Sequence, residues 1–145
     1  MLKRINHIEL IVLDLERQVD LFKQLGFEEL RRTDHHQASV EMKLPDEAII
    51  WELHQLEKNE VIGVNHIGFE VEDAPAAFKQ LSAGGVKFQN TPYHHDVPDI
   101  NGNTWTVADF RDTSGFRYHI LDTKGSEKQE RPRWRIAKGH LAQNQ

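Results

Sequence analysis

Four side chains with metal-ligand chemistry stand at matched places in the chain. Asn6-His7-Ile8-Glu9-Leu10-Ile11-Val12-Leu13-Asp14 returns 59 positions later as Asn65-His66-Ile67-Gly68-Phe69-Glu70-Val71-Glu72-Asp73, with Asn, His, Ile, Val and Asp in register. A second matched pair closes each copy: Glu52 in Trp51-Glu52-Leu53 and His119 in Tyr118-His119-Ile120, each a polar residue between an aromatic and an aliphatic one. Glu52 follows His7 by 45 positions and His119 follows His66 by 53. A buried ionised carboxylate is unfavourable unless it is paired or binds a metal. One divalent cation satisfies Glu52 and three imidazoles together. With neutral imidazoles such a site carries a net charge of +1. Its nitrogen and oxygen donors suit Fe, Ni, Zn, Co or Mn, and suit Ca or Mg poorly. The alternative is four residues that only hydrogen-bond across strands; the repeat-related placement of all four favours metal.

The elements that must position these residues read alike in both copies. After Asp14, the residues Leu15, Val19, Phe22 and Leu25 trace one apolar helical face, with Asp14 as N-cap and Gly26 just past the end. After Asp73, the run Ala74, Pro75, Phe78 and Leu81 leads to Gly84-Gly85, with Pro75 in the tolerated first turn. Strand-like runs follow at 27–32, 38–44 and 48–54, and at 86–89, 104–110 and 116–121. Turns are expected at 45–47 and at Asp112-Thr113-Ser114-Gly115. Each half therefore reads β-α-β-β-β. The second half carries a longer loop, 90–103, of a length more often functional than idle. The fold class is α+β, with module 1 at 3–58 and module 2 at 61–123. Neither is large enough to be stable alone, so both are expected to pack as one domain over 1–124. Residues 125–145 form a basic extension.

Composition excludes several classes. The 145 residues contain no cysteine and nine histidines, so a disulfide scaffold, a thiolate metal site and a cysteine nucleophile are ruled out. No apolar run approaches the roughly 20 residues that span a bilayer. Met1-Leu2-Lys3-Arg4 leads straight into patterned sequence, so a cytoplasmic protein without membrane association is the expectation. The net charge is −5. Residues 124–145 hold six basic side chains (Lys124, Lys128, Arg131, Arg133, Arg135, Lys138) against Glu127 and Glu130, which leaves −9 on the body. An acidic body repels phosphate backbones, so nucleic acid is not an expected partner. No phosphate-binding glycine loop, dinucleotide fingerprint or Gly-x-Ser-x-Gly elbow is present.

This tandem resembles the vicinal oxygen chelate superfamily of glyoxalases, fosfomycin-resistance enzymes, bleomycin-resistance proteins, acyl-CoA epimerases and extradiol dioxygenases. The likeness covers about residues 3–123. It rests on Asn6-His7-Ile8, Asn65-His66-Ile67, Gly26-Phe27 and Asp112-Thr113-Ser114-Gly115-Phe116-Arg117-Tyr118-His119-Ile120, which is similar to the family's Asp-Pro-Asp-Gly-Asn-x-x-Glu-Leu ending. The resemblance implies two modules forming an open, cup-shaped, eight-stranded sheet, with ligands on the first and last strands of each. Those positions here are His7, Glu52, His66 and His119. Family cups are built within one chain or from two chains exchanging modules, and a homodimer is expected. Glyoxalases usually carry Glu where this chain has His119. Extradiol dioxygenases carry their carboxylate on the final strand, whereas here it is Glu52.

The expected function is a metal-dependent, glyoxalase-like lyase or isomerase acting on a small oxygen-chelating substrate, with Glu52 and His119 as the proton-moving groups. An Fe(II) extradiol-type dioxygenase is the alternative enzyme. A metal-free ligand-sequestering protein of the bleomycin-resistance type is the non-catalytic alternative. Strand alternation adds His54, Arg117 and Glu9 as pocket candidates. His54 is an acid/base or a strand-end residue touching solvent, Arg117 a carboxylate binder or an exposed strand residue, and Glu9 an imidazole orienter or a surface residue. His35-His36 read as solvated turn residues. His94-His95-Asp96 belong to the long loop, and Trp134 and His140 to the extension.

Overall fold

The computed structural model describes residues 1–36 and 38–125, and the backbone of 135–136. The rest of the expected extension, including Trp134 and His140, lies outside the described residues. The fold is α+β and repeats β-α-β-β-β twice: β1 (Leu2–Val12), α1 (Leu15–Gln24), β2 (Glu28–Thr33), β3 (Ser39–Lys43) and β4 (Ile50–Gln55), then β5 (Gly63–Val71), α2 (Ala74–Ala83), β6 (Tyr93–His94), β7 (Thr106–Arg111) and β8 (Arg117–Asp122). A short β9 (Arg135–Ile136) joins β2 in antiparallel register, Arg31 opposite Ile136. The extension therefore contributes a strand, which its charge pattern does not announce. Cα packing divides the described chain into two compact units, 1–6 with 66–125 and 7–65 with 135–136.

In the unit holding 7–65 the strand order is β1-β4-β3-β2-β9. From His7 onward β1 runs parallel to β4, with Glu9 opposite Glu52 and Leu10 opposite Leu53. Strand β4 pairs antiparallel with β3, Glu41 opposite Glu52. One face of these strands carries Val12, Val40, Met42 and Leu53, which pack with Leu15, Val19 and Phe22 of α1. Period-2 alternation then sends Glu9, Glu41, Glu52 and His54 to the other face.

The unit holding 66–125 repeats this plan in the order β6-β7-β8-β5. Val71, Ala108 and Ile120 pack with Ala74 and Ala77 of α2. His66, Asp109, Arg117 and His119 occupy the opposite face. His66 pairs with Arg117, and His119 lies opposite both Gly68 and Asp109. The expected strand at 86–89 is absent: only Phe88 bridges to Phe110, and the pairing passes to Tyr93–His94. Asn90 explains the change. Its side chain accepts from Asp109 N–H (3.0 Å) and donates to the Asp109 carboxylate (2.8 Å), occupying the ladder where a strand would continue.

Local chemistry sets the helix ends as expected. Asp14 accepts from Arg17 N–H (3.1 Å) and Asp73 from Ala76 N–H (2.9 Å), each satisfying one orphan amide. Gly26 (φ 99°) and Gly85 (φ 100°) supply the left-handed exits. A second repeat-related contact was not legible: Gln55 at the end of β4 accepts from Leu15 N–H, and Asp122 at the end of β8 accepts from Ala74 N–H. Each module thus ties its last strand to the first residue of its helix.

These contacts predict a ranking in urea unfolding. Leu53 is 0% exposed, so Leu53→Ala should cost about 3 kcal/mol. Asp122→Ala, which leaves one helix amide without its acceptor, should cost about 1 kcal/mol. A Leu53→Ala loss no larger than that of Asp122→Ala would contradict the packing described.

Candidate functional site

The polar face of the 66–125 unit converges on two imidazoles. His66 on β5 and His119 on β8 are both buried, their ring centroids 4.4 Å apart. Gly68, opposite His119, places no side chain between them. His119 Nδ1 faces Asp109 Oδ1 at 3.4 Å, while Arg117 Nη2 reaches the same oxygen at 2.9 Å. The other carboxylate oxygen accepts from Asn90 (2.8 Å) and from the Tyr93 hydroxyl (3.1 Å). Burial alone would raise Asp109; the His119 and Asn90 contacts and the Arg117 charge outweigh it and hold the carboxyl well below the usual range. His119 moves the other way. Burial lowers it, Asp109 opposes, and the charges of His66 and Arg117 add to the fall, giving about 4. At neutral pH His119 is therefore an uncharged imidazole with a free-base nitrogen to offer. Tyr93 is pushed up to about 12 by burial and by Asp109, so it remains a donor.

An imidazole oriented through one nitrogen by a carboxylate is the arrangement that metal-ligating histidines adopt, because it sets the tautomer and raises ligand basicity. Asp109 faces His119 Nδ1 at 3.4 Å, on the side from which a carboxylate takes that role. The donor chemistry therefore fits a divalent metal of the Zn, Co, Ni, Fe or Mn group.

The polar face of the 7–65 unit is built from carboxylates. Glu9 on β1 is 1% exposed and receives two imidazoles at one oxygen: His54 Nδ1 at 3.1 Å and His36 Nε2 at 3.0 Å. His54 Nε2 meets Glu60 at 3.1 and 3.2 Å. With a carboxylate on each nitrogen, His54 is held up despite burial, which acts to lower it; Glu9 and then Glu60 prevail. Glu60 is itself anchored by the Glu57 N–H at 2.9 Å. Glu41 forms a buried ion pair with Arg31. Glu52 has His35 Nε2 at 3.7 Å. Its carboxyl is raised well above the usual range, first by burial and then by the charges of Glu9 and Glu41, with Arg31 opposing.

Of the residues singled out from the sequence, the structure brings His66 and His119 together, and brings Glu52 together with Glu9, His35 and His36. His7 is buried on β1, opposite Ile50. His54 is buried rather than a solvent-touching strand end, and Glu9 is buried rather than superficial. Arg117 is neither a lone pocket cation nor a plain exposed residue, since Asp109 engages it. His35 and His36 correct the expectation of solvated turn residues. Their side chains are 26% and 34% exposed and fold back onto Glu52 and Glu9. Asp109, Glu60 and the Arg31–Glu41 pair were not singled out. The alternation of Val107, Asp109 and Arg111 with Ala108 and Phe110 was the available signal for Asp109.

Residues 4–120 match the Glyoxalase/Bleomycin resistance protein/Dioxygenase superfamily model, and the chain belongs to that superfamily. Among solved structures it is similar to the Streptomyces coelicolor methylmalonyl-CoA epimerase in complex with 2-nitronate-propionyl-CoA. That match has 19% identity and a TM-score of 0.67, and covers 89% of this chain and 100% of that one. The methylmalonyl-CoA epimerase from Mycobacterium tuberculosis matches at 17% identity and TM-score 0.67, covering 83% and 87%. A xylose isomerase-like TIM barrel/4-hydroxyphenylpyruvate dioxygenase fusion protein matches at 15% identity and TM-score 0.66, over 89% of this chain and 27% of that one. No curated protein matches. Among the described residues no helix is long and apolar enough to cross a membrane.

The depressed His119 has a measurable consequence for metal-free protein. The unfolded chain binds this proton with a value of 6.5 and the folded chain only near 4, so acid favours unfolding. Stability from this group is complete above about 6.5 and falls by roughly 3 kcal/mol between there and about 4. Asp109 contributes its own loss only at lower pH, because its folded value lies below the ordinary carboxylate range. Urea unfolding with chelator at pH 7 and pH 4.5 should show this loss in the wild type and a clearly smaller one in His119→Gln. Equal losses would contradict the assignment.

Proposed function

We propose that the protein is a metal-dependent isomerase that moves a proton at a carbon α to a carbonyl, with His7, His66 and His119 holding the divalent ion. The observation that carries this reading is the buried His119 imidazole, uncharged at neutral pH, with the Asp109 carboxylate facing one nitrogen and the His66 ring beside it. His7 occupies in the first repeat the place His66 occupies in the second, and it is likewise buried. When bound, the ion supplies a Lewis acid that stabilises the oxyanion of an enolised substrate. Three neutral imidazoles leave its full +2 charge uncompensated by ligands, which favours oxyanion stabilisation over the two-His, one-carboxylate chemistry of Fe(II) oxygenases.

Glu52, the fourth candidate ligand from the sequence, serves here as the proton carrier. Its raised carboxyl is suited to that work, because a general base is most effective when both protonation states are accessible near the working pH. Asp109 keeps the His119 tautomer fixed. Arg117, Asn90 and the Tyr93 hydroxyl keep Asp109 ionised and in place. The substrate class is a small acid or thioester with adjacent oxygens and an acidic C–H. The solved epimerases, whose names include methylmalonyl-CoA, make that compound the first probe.

Full-length protein loaded with Zn or Co and incubated anaerobically with methylmalonyl-CoA in D₂O should incorporate deuterium at the carbon between the two carbonyls. Glu52→Gln should lose at least 100-fold in rate while keeping its metal, and His66→Ala should lose the metal. Oxygen consumption that requires Fe(II), with no exchange, would transfer the reading to a dioxygenase. Failure of the wild type to retain any metal would transfer it to a binding protein.

A further inference from the structure

The 7–65 unit holds a second constellation that the isomerase reading does not use as a metal site. We propose that Glu9, Glu52, His35 and His36 form a separate divalent-cation site whose occupation switches the enzyme off. Each of the four offers one ligand atom, and these atoms all lie within 4.8 Å of one another. Neighbouring ligands of a tetrahedral ion with bonds of about 2.0–2.1 Å are about 3.3 Å apart. His36 Nε2 to Glu9 Oε1 is 3.0 Å and His35 Nε2 to Glu52 Oε1 is 3.7 Å, on either side of that spacing.

Three parts of the unit converge to make the set: β1 brings Glu9, β4 brings Glu52, and the turn between β2 and β3 brings both imidazoles. Successive residues of an extended chain point to opposite sides. His35 and His36 instead lie with ring centroids 3.9 Å apart. The backbone of His36 accomplishes this with φ 50°, in the left-handed region that costs a non-glycine residue of order 1 kcal/mol. Hydrogen bonds hold the turn in that form. His35 N–H donates to Thr33 Oγ1 (3.3 Å), Ser39 Oγ donates to His35 O (2.7 Å), and Ala38 N–H donates to His36 O (2.8 Å). The imidazoles are thus placed by the turn rather than left to solvent.

Charge supplies the driving force. Two carboxylates, two neutral imidazoles and one divalent cation sum to zero, the least unfavourable total for a partly buried site. The nearby cations are shared with further carboxylates: Arg31 pairs with Glu41, and His54 bridges Glu9 and Glu60, so acidic groups outnumber them. The mixed nitrogen and oxygen donor set selects Zn and its transition-metal neighbours over Mg and Ca.

The inhibitory half of the proposal rests on Glu52 as the proton carrier. A cation held by Glu52 occupies the oxygen that must take the proton, so excess Zn should suppress turnover that a first equivalent supports.

The test is Zn titration of metal-free full-length protein by calorimetry, with elemental analysis after gel filtration. Wild type should bind two equivalents and His35→Ala/His36→Ala one, the effect of excess Zn being read as a fold-change against each protein's own exchange rate. The milder His35→Gln/His36→Gln variant, checked by circular dichroism, should also bind one, which separates ligand loss from misfolding. Excess Zn should lower wild-type exchange at least tenfold and leave both variants unaffected. A wild type that binds a single equivalent, or variants that still bind two, would overturn the site. Equal inhibition of wild type and variants would overturn its regulatory role. Should the isomerase reading fail, wild type would show no exchange at all, while the second equivalent would still vanish with the two histidines.

Discussion

Each module of this protein has one sheet face committed to a helix and another on which ionisable groups are buried. Everything about the candidate site follows from how those charges are compensated. A buried carboxylate or imidazole must find a partner, change protonation or bind a cation. Asp109 illustrates the first solution. His119, Asn90, Tyr93 and Arg117 surround it, and it remains ionised. His119 illustrates the second, discarding its charge well below the ordinary imidazole range. Glu52 has two carboxylates for neighbours and retains its proton more firmly than a solvated glutamate would.

The two modules use one scaffold for opposite chemistry. Asp14 and Asp73 cap equivalent helices, and Gln55 and Asp122 tie equivalent strand ends to them. The apolar face is conserved in kind between the copies, since both helices need an apolar strand surface to cover. The polar faces have diverged. The first module gathers Glu9, Glu41 and Glu52, whereas the second offers His66, His119, one aspartate and Arg117. The first therefore favours cations and proton uptake, and the second presents imidazole nitrogens.

Much of this is legible in the sequence. The repeat, both helix caps, both glycine exits, the alternation that places His66 and His119 on polar faces, and seven of the eight module strands all read from the chain, because each depends on residues within a few positions of one another. The strand expected at 86–89 did not form, because Asn90 spends its side chain on Asp109, 19 residues away. No periodicity reports such a competition. The strand of the C-terminal extension was hidden for a related reason: its partner, β2, lies about a hundred residues earlier.

Residue type and period determined which side chains could ligate a metal and which face of a strand each would take. Tertiary structure alone decided their company. Glu52 stands with Glu9, His35 and His36 because β1 and β4 are register neighbours and because one left-handed residue turns the β2–β3 connection back over them. Asp109 enters the site only through strand pairing with His119. Local order is written in spacings of two to four residues, while electrostatic environment is set by groups far apart in sequence and adjacent in space. Acidity, ligand grouping and chemistry belong to the second kind of information.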